Sequence, residues 1–296
     1  MKKAVFSQPW GGLGDNLAFT NLPRLYSESG IDFYVSFMNY SRNQDIHNLC
    51  WRNNDNVKRF KKLIPNIGFK TFEESGYKVF NKKFNSVQNT NVTHGFDPGL
   101  GYPEIKLDSH IKSPINESFH HVIDLQAYSI FNDSEFTYNK KSFQEKINYY
   151  TSKSSHSLTY PNLYTPHGNT KNKLEIKNLK ELISILLNTN TFVCLNSGSH
   201  VLASTLKHLS GYPKNIVSFN NIRDIDVEIK NDKILIKKGL FYFDNVNYEK
   251  IDIERKDTQN LEYEESQNIP QTMNKNLRRH RKLLNYQKRF KTIFQK

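Results

Sequence analysis

A glycine-rich turn, Gly11-Gly12-Leu13-Gly14-Asp15-Asn16, lies between a short apolar run at residues 3–7 and a stretch where Leu17, Phe19, Leu22, Leu25 and Tyr26 recur at helical spacing. Gly30 supplies a stop, and Phe33-Tyr34-Val35-Ser36-Phe37 reads as a second strand. Strand, glycine turn, helix and strand make a β-α-β unit, which requires a parallel sheet with a crossover connection. Such a turn gathers backbone N–H groups and the positive end of a helix at one spot, which favours an anion. Gly11, Gly12 and Gly14 let a ligand approach the backbone closely, and Asn16 completes the phosphate or acceptor loop.

A chain of 296 residues is too long for one typical domain of roughly 100–200 residues and suits two. The second half repeats the α/β pattern. Residues 158–164 read as a strand and 165–170 as a turn-rich loop. Leu179, Leu182, Ile183 and Leu186 mark an amphipathic helix, and Thr191-Phe192-Val193-Cys194-Leu195 a buried strand. Asn196-Ser197-Gly198 is then a tight turn, 199–209 a helix and 215–219 a further strand. Between residues 39 and 91 the pattern is blurred, with Ile46, Leu49 and Cys50 on one helix and Val57, Phe60 and Leu63 on another. Residues 120–125 are expected to be a late strand of the first half, followed by a polar helix over 142–150 and a linker at 151–157. Val227, Ile229, Ile234 and Ile236 alternate about Asn231-Asp232, a hairpin signature, and residues 241–253 are expected to continue that meander. The resulting organisation is 1–150, a Rossmann-like domain; 151–221, a reduced Rossmann-like domain; 222–258, a hairpin extension; and 259–296, a basic helical tail.

Several function classes are set aside by what is missing. After Gly12-Leu13-Gly14 the third glycine position of a dinucleotide fingerprint holds Leu17, and no acidic residue ends the second strand. No Lys-Ser or Lys-Thr follows the glycines as a P-loop requires. No Cys or His pair has metal-ligand spacing, so neither cofactor nor metal is expected. Asp224-Ile225-Asp226 resembles a metal-binding D-x-D, but it precedes a hairpin and reads as an exposed strand face. Cys50 and Cys194 sit in apolar contexts and read as buried thiols of a reducing compartment, with a single disulfide as the alternative. No signal peptide or membrane-spanning run is expected, and the chain is read as cytoplasmic. The formal charge is +13, and residues 266–296 hold nine Lys or Arg with no Asp or Glu, so the basicity belongs mainly to the tail. Three accounts of residues 275–296 stay open: a helix lying on an anionic membrane, a nucleic-acid contact disfavoured by sparse stacking aromatics, and a terminal helix without a partner.

The turn Gly11-Gly12-Leu13-Gly14-Asp15-Asn16-Leu17, with Pro23 after it, resembles the opening of glycosyltransferase family nine, the bacterial heptosyltransferases. The second turn, Asn196-Ser197-Gly198-Ser199-His200-Val201-Leu202-Ala203, is similar to that family's D-[ST]-G-x-x-H-x-x-A-A motif. The leading Asp is Asn196 here, and the motif's His falls on Val201, with His200 one residue earlier. The resemblance implies a GT-B fold, two facing Rossmann-like domains. It also implies metal-independent, inverting transfer of a sugar from a nucleotide-activated donor to a glycan or lipopolysaccharide-type acceptor hydroxyl.

In that reading Asp15 is the general base, Ser197, Gly198, Ser199 and His200 bind the donor diphosphate, and His167, Thr170 and Lys171 add contacts to the leaving group. The segments holding His94 and Tyr102 either line an acceptor pocket or form a long ordered loop. Each role has a rival: Asp15, Ser197 and Ser199 are also good helix-start residues, and His200 and Lys171 also suit a solvated surface. The rival function is a non-catalytic sugar-nucleotide or glycan-binding protein of the same fold.

Overall fold

The computed structural model describes residues 2–8, 10–58, 67–68, 84–107, 117–125, 136–138, 140–151, 155–159, 172–221, 227–230, 233–236, 242–251 and 253–255. Met1–Asp133 and Thr137–Glu254 form one compact unit; the other, Ser134–Phe136 with Arg255–Lys296, lies almost wholly outside the described residues. The expected basic tail, the loop with His167, Thr170 and Lys171, the Asp224-Ile225-Asp226 segment, and Phe60 and Leu63 lie outside them as well.

The first sheet is parallel, with β1 (Lys2–Ser7) between β2 (Ile31–Val35) and β3 (Ile67–Gly68). The crossover from β1 to β2 is two helices rather than the single one expected: α1 (Leu13–Leu17) and α2 (Leu22–Glu28). Pro23 sits in the first turn of α2, where it lacks an N–H and its ring blocks continuation from the preceding turn. The Thr20 hydroxyl closes α1 by donating to the Leu17 carbonyl at 2.8 Å. Gly30 follows α2 with φ of +72°, a conformation that favours glycine. Ile46, Leu49 and Cys50 are buried on α3 (Gln44–His47) and the wider π turn that continues it (Asn48–Arg52). Val57 forms an isolated parallel bridge with Phe33. The fully buried Phe6 ring lies 5.3 Å from Phe19, 5.8 Å from Phe33 and 5.4 Å from Trp51. Burying each such aromatic stabilises the half by about 2–3 kcal/mol before entropy. Beside these helices, α4 (Ser86–Thr93) is capped by Asn85, whose side chain accepts from Gln88 N.

The second sheet has six parallel strands. They are β4 (Phe119–Asp124), β5 (Ser155–Thr159), β6 (Asn172–Glu175), β7 (Thr189–Leu195), β8 (Asn215–Asn221) and β11 (Asn247–Ile251). Their spatial order is β6-β5-β4-β7-β8-β11, so the sheet's own strands run 3-2-1-4-5-6, the Rossmann order. Two expectations are corrected here. The strand at 119–124 opens the second sheet instead of closing the first, and the segment at 151–157 read as a linker contains the start of β5. Strand patterning reveals a strand but not its neighbour. The helix α5 (Lys140–Thr151) carries the chain from β4 to the adjacent β5. Likewise residues 247–251 do not continue the meander. The expected hairpin forms, β9 (Val227–Lys230) against β10 (Lys233–Ile236), but β11 then returns parallel to β8, with Tyr248 opposite Ser218.

Both sheets share a continuous core that includes Phe6, Leu17 and Trp51 from the first half and Ile183, Leu186, Val201 and Leu202 from the second. The latter come from α6 (Leu179–Leu187) and α7 (Gly198–Ser210). A polar tie adds to it: the Asp45 carboxylate accepts from Leu179 N at 3.1 Å, at the start of α6. Cys50 and Cys194 are free and buried, as expected, and burial pushes both thiols up. No helix among the described residues is long and apolar enough to cross a membrane.

Candidate active site

The two glycine turns, nearly 200 residues apart in the chain, meet. A Cβ placed on Gly198 would lie 2.8 Å from Leu13 Cβ and 3.0 Å from Gly14 N; one on Gly14 would lie 3.4 Å from Gly198 Cα and from Val201 Cγ2. Only glycine at position 198 permits this approach of α1 to α7. Val201, where the heptosyltransferase motif has its His, is buried against α1, which explains an apolar residue there.

Asp15 is the third residue of α1, and its Oδ2 accepts from Gly12 N at 3.2 Å. It is therefore a helix-start residue, though not the N-cap itself, which is Gly12. Burial raises its pKa above the ordinary aspartate value, while the Gly12 N–H and the Arg42 charge act in the opposite direction. Asn16, expected in the phosphate or acceptor loop, is fully buried and spends its side chain on the protein. Its amide donates to the Gly12 carbonyl at 2.9 Å, and its Oδ1 accepts from Trp51 Nε1 at 2.8 Å and Ser41 Oγ at 3.0 Å. It shapes the turn. Gly11 lies against the Tyr40 ring, and its carbonyl accepts from Arg42 N at 2.8 Å.

α7 starts at the carboxyl edge of the second sheet, beside the switch point between β4 and β7, where Rossmann-type sheets bind ligands. Ser197 occupies the N-cap position with extended backbone, yet its side chain makes no capping bond and pairs instead with the Ser199 hydroxyl at 2.8 Å. In contrast, α3, α4 and α6 are each closed by an asparagine, Asn43, Asn85 and Asn178. The first intrahelical bond of α7 runs from Val201 N to Ser197 O, so Gly198, Ser199 and His200 have N–H groups with no acceptor inside the helix.

His200 does not project beside these donors. It is fully buried, with Nε2 3.0 Å from the Tyr248 hydroxyl and its ring packed edge-on against Phe243 and Tyr248. The same hydroxyl accepts from Phe243 N at 2.8 Å. Burial pushes the imidazole pKa down to about 3, so it is neutral at physiological pH. Its backbone N–H, not its side chain, remains at the helix start.

The expected acceptor pair is not brought to this place. His94 Nδ1 bonds the Tyr26 hydroxyl at 3.0 Å and its ring packs on Phe6 and Tyr26, inside the first half. Tyr102 stacks on His208 at 4.2 Å and bonds Asp244, at the far end of α7 from Gly198. Long aromatic loops carry no local signal of which core they join. Arg42 and Tyr248 are the residues of this region that sequence reading missed. Arg42 lies on the turn after β2, at the carboxyl edge where ligands gather, and that position was its available signal.

No protein-family model matches the sequence, and no curated protein matches it. Among solved structures the chain is similar to TibC of enterotoxigenic E. coli, described as a bacterial iron-containing dodecameric glycosyltransferase. The two share 18% identity with a TM-score of 0.53, over 74% of this chain and 58% of TibC. The same heptosyltransferase in complex with ADP-D-β-D-heptose gives 17% and 0.52, over 74% and 59%. The chain thus spans under two thirds of TibC's length. A glycosyl transferase of family 9 from Veillonella parvula is matched more fully, over 92% of this chain and 91% of that one, with 9% identity and a TM-score of 0.54. Among the described residues here, no three His, Cys, Asp or Glu side chains gather where they could hold a metal ion. The fold is that of the GT-B-type, family-nine-like glycosyltransferases, two parallel α/β halves with their glycine turns face to face.

Proposed function

We propose that the chain is an inverting glycosyltransferase that moves a sugar from a nucleoside diphosphate donor to an acceptor hydroxyl, with Asp15 as general base. One observation carries this reading: the Asp15 turn abuts, through Gly14 and Gly198, the start of a 13-residue helix whose first-turn N–H groups are left uncapped. A departing diphosphate would take hydrogen bonds from Gly198 N and Ser199 N and from the Ser197 or Ser199 hydroxyl, at the positive end of the helix dipole. These donors would stabilise the charge that develops on the leaving group, so the step needs no metal. Asp15 would take the acceptor proton as the hydroxyl attacks the anomeric carbon from the face opposite the diphosphate. Its raised pKa makes it a better base than a solvated carboxylate. The fold likeness supports the nucleotide-sugar class, because TibC is described in complex with ADP-D-β-D-heptose. His167, Thr170 and Lys171 remain candidate donor contacts. The basic tail, residues 275–296, would hold the enzyme on an anionic membrane at the cytoplasmic face, near a lipid-linked saccharide.

The test is turnover of a panel of nucleotide sugars, with and without chelator, by wild type and Asp15→Ala. Donor turnover lost in the variant supports the reading. Donor that binds the wild type without being turned over returns the chain to the non-catalytic alternative, and turnover abolished by the chelator rejects the metal-free step.

A further inference from the structure

We infer that Trp51 is a positioning residue of this site: from the core of the first half its indole N–H fixes the Asn16 amide, which clamps Gly12 and so aims the backbone N–H that orients the Asp15 carboxylate. The inference rests on the reading of Asp15 as the base, and its foundation is geometric. Trp51 is fully buried, its ring 5.4 Å from that of Phe6, on the π turn marked by the bond from Asn53 N to Asn48 O at 3.0 Å. Its Nε1 donates to Asn16 Oδ1 at 2.8 Å. An indole N–H can only donate, so this contact decides which way the equally buried Asn16 amide faces. Oδ1 accepts from Trp51 and, at 3.0 Å, from the Ser41 hydroxyl. Nδ2 is left for carbonyls, Gly12 O at 2.9 Å and Trp10 O at 3.3 Å. The amide's acceptor and donor sites are thereby engaged within the protein. The core needs only the ring of Trp51, and its nitrogen is committed to the loop.

Gly12 is where this chain of contacts reaches Asp15, because both peptide planes that meet at Gly12 are held. In the plane before it, Gly11 O accepts from Arg42 N at 2.8 Å, and Gly12 N donates to Asp15 Oδ2 at 3.2 Å. The two groups of a trans peptide point opposite ways, so holding the oxygen aims the hydrogen. In the plane after it, Gly12 O accepts from Asn16 Nδ2 at 2.9 Å and from Asn16 N at 3.1 Å. Glycine has no side chain to restrict its torsions, and these anchors hold Gly12 at φ of −66° and ψ of 157°. Without the Trp51 donor, the Asn16 amide loses the contact that sets its orientation, and Gly12 O loses its side-chain anchor. The Gly12 N–H then loses its aim, and with it the carboxylate. A base must stand within hydrogen-bond reach of the acceptor hydroxyl, and a displacement of about 1 Å costs on the order of 10²-fold in rate.

The experiment compares wild type with three variants. Trp51→Phe keeps an aromatic ring in the core and deletes the donor, Ser41→Ala deletes the other donor to Asn16 Oδ1, and Ile46→Val removes a buried methyl group and no polar contact. The first readout needs no substrate: the Gly12 amide proton in protein labelled with nitrogen-15 glycine, assigned by its loss in Gly12→Ala. Trp51→Phe should shift that proton towards its position in Asp15→Asn and speed its exchange with solvent on the order of tenfold, the worth of one hydrogen bond. Ile46→Val should leave it in place. The second readout is steady-state transfer with a nucleotide sugar that the wild type turns over. Trp51→Phe should lower kcat about tenfold with KM changed by less than about twofold, Ser41→Ala should lower it by a smaller factor, and Ile46→Val should not lower it. In an Asp15→Asn background Trp51→Phe should cost nothing further, because it acts through the carboxylate. A Gly12 proton unmoved in Trp51→Phe overturns the inference, and so does a kcat loss of equal size with and without the Asp15 carboxylate. Should Trp51→Phe fold poorly, Ser41→Ala answers both questions. Full transfer by Asp15→Asn removes the base itself, and is told apart from an unmoved Gly12 proton, which removes only the positioning.

Discussion

Asp15 is where a cost in stability and a role in chemistry coincide. Its folded pKa lies above the unfolded value of 3.8, so the folded state binds the proton more readily, and stability falls as pH rises from the unfolded value through the folded one. Asp15→Asn removes the buried charge and keeps an oxygen to accept from Gly12 N. It should leave the Tm at neutral pH unchanged or higher while transfer falls by about 10²–10⁴-fold; a matching loss of Tm would mark a purely structural residue. His200 behaves oppositely. With a folded pKa of about 3 against 6.5 unfolded, its contribution is complete above pH 6.5 and is lost as pH falls from 6.5 towards 3, by up to about 1.4 kcal/mol per pH unit. Urea unfolding between pH 7.5 and 4.5, at values set by that window, should show this slope, flattened in His200→Gln. Both residues are visible in the sequence by their types and turns. The inward course of His200 is not, because its direction is set by Tyr248, which lies 48 residues away.

The helix starts separate stability from function. Asn178 caps α6 by accepting from Glu181 N at 3.0 Å, and Asn178→Ala should cost about 1 kcal/mol. Ser197 holds the same position on α7 without capping it, so Ser197→Ala should cost less than about 0.5 kcal/mol. The same variant should weaken binding of a nucleoside diphosphate several-fold, roughly the worth of one hydrogen bond to a charged group. Denaturant unfolding and calorimetric titration of both variants read the contrast; an Ser197→Ala loss as large as that of Asn178→Ala would make Ser197 an ordinary cap. Most helices and strands were legible from periodicity, caps and Gly30. The break between α1 and α2 was foreshadowed only by Pro23, since the apolar spacing runs across it unchanged.

For the molecule as a whole, the contact of the two glycine turns fixes the distance between the halves at the site. Gly198→Ala meets a backbone nitrogen at 3.0 Å as well as Leu13 Cβ at 2.8 Å, so it should cost about 1–3 kcal/mol and lose transfer. Gly14→Ala, whose nearest neighbours lie at 3.4 Å, should be much milder, because that is ordinary contact distance and alanine favours the helix. Thermal unfolding of the two variants checks the order. The β-α-β start, the two glycine turns, the hairpin and the burial of both cysteines are legible in the chain itself, because these follow from spacing within a few tens of residues. Which strands residues 119–124 and 247–251 pair with, the turning of His200 into the core, and the half-buried packing of His94 and Tyr102 on aromatic rings are settled only by the tertiary structure. Each of those outcomes depends on which distant strand or helix a segment packs against, and pairing across a sheet leaves no periodic trace in the segment itself.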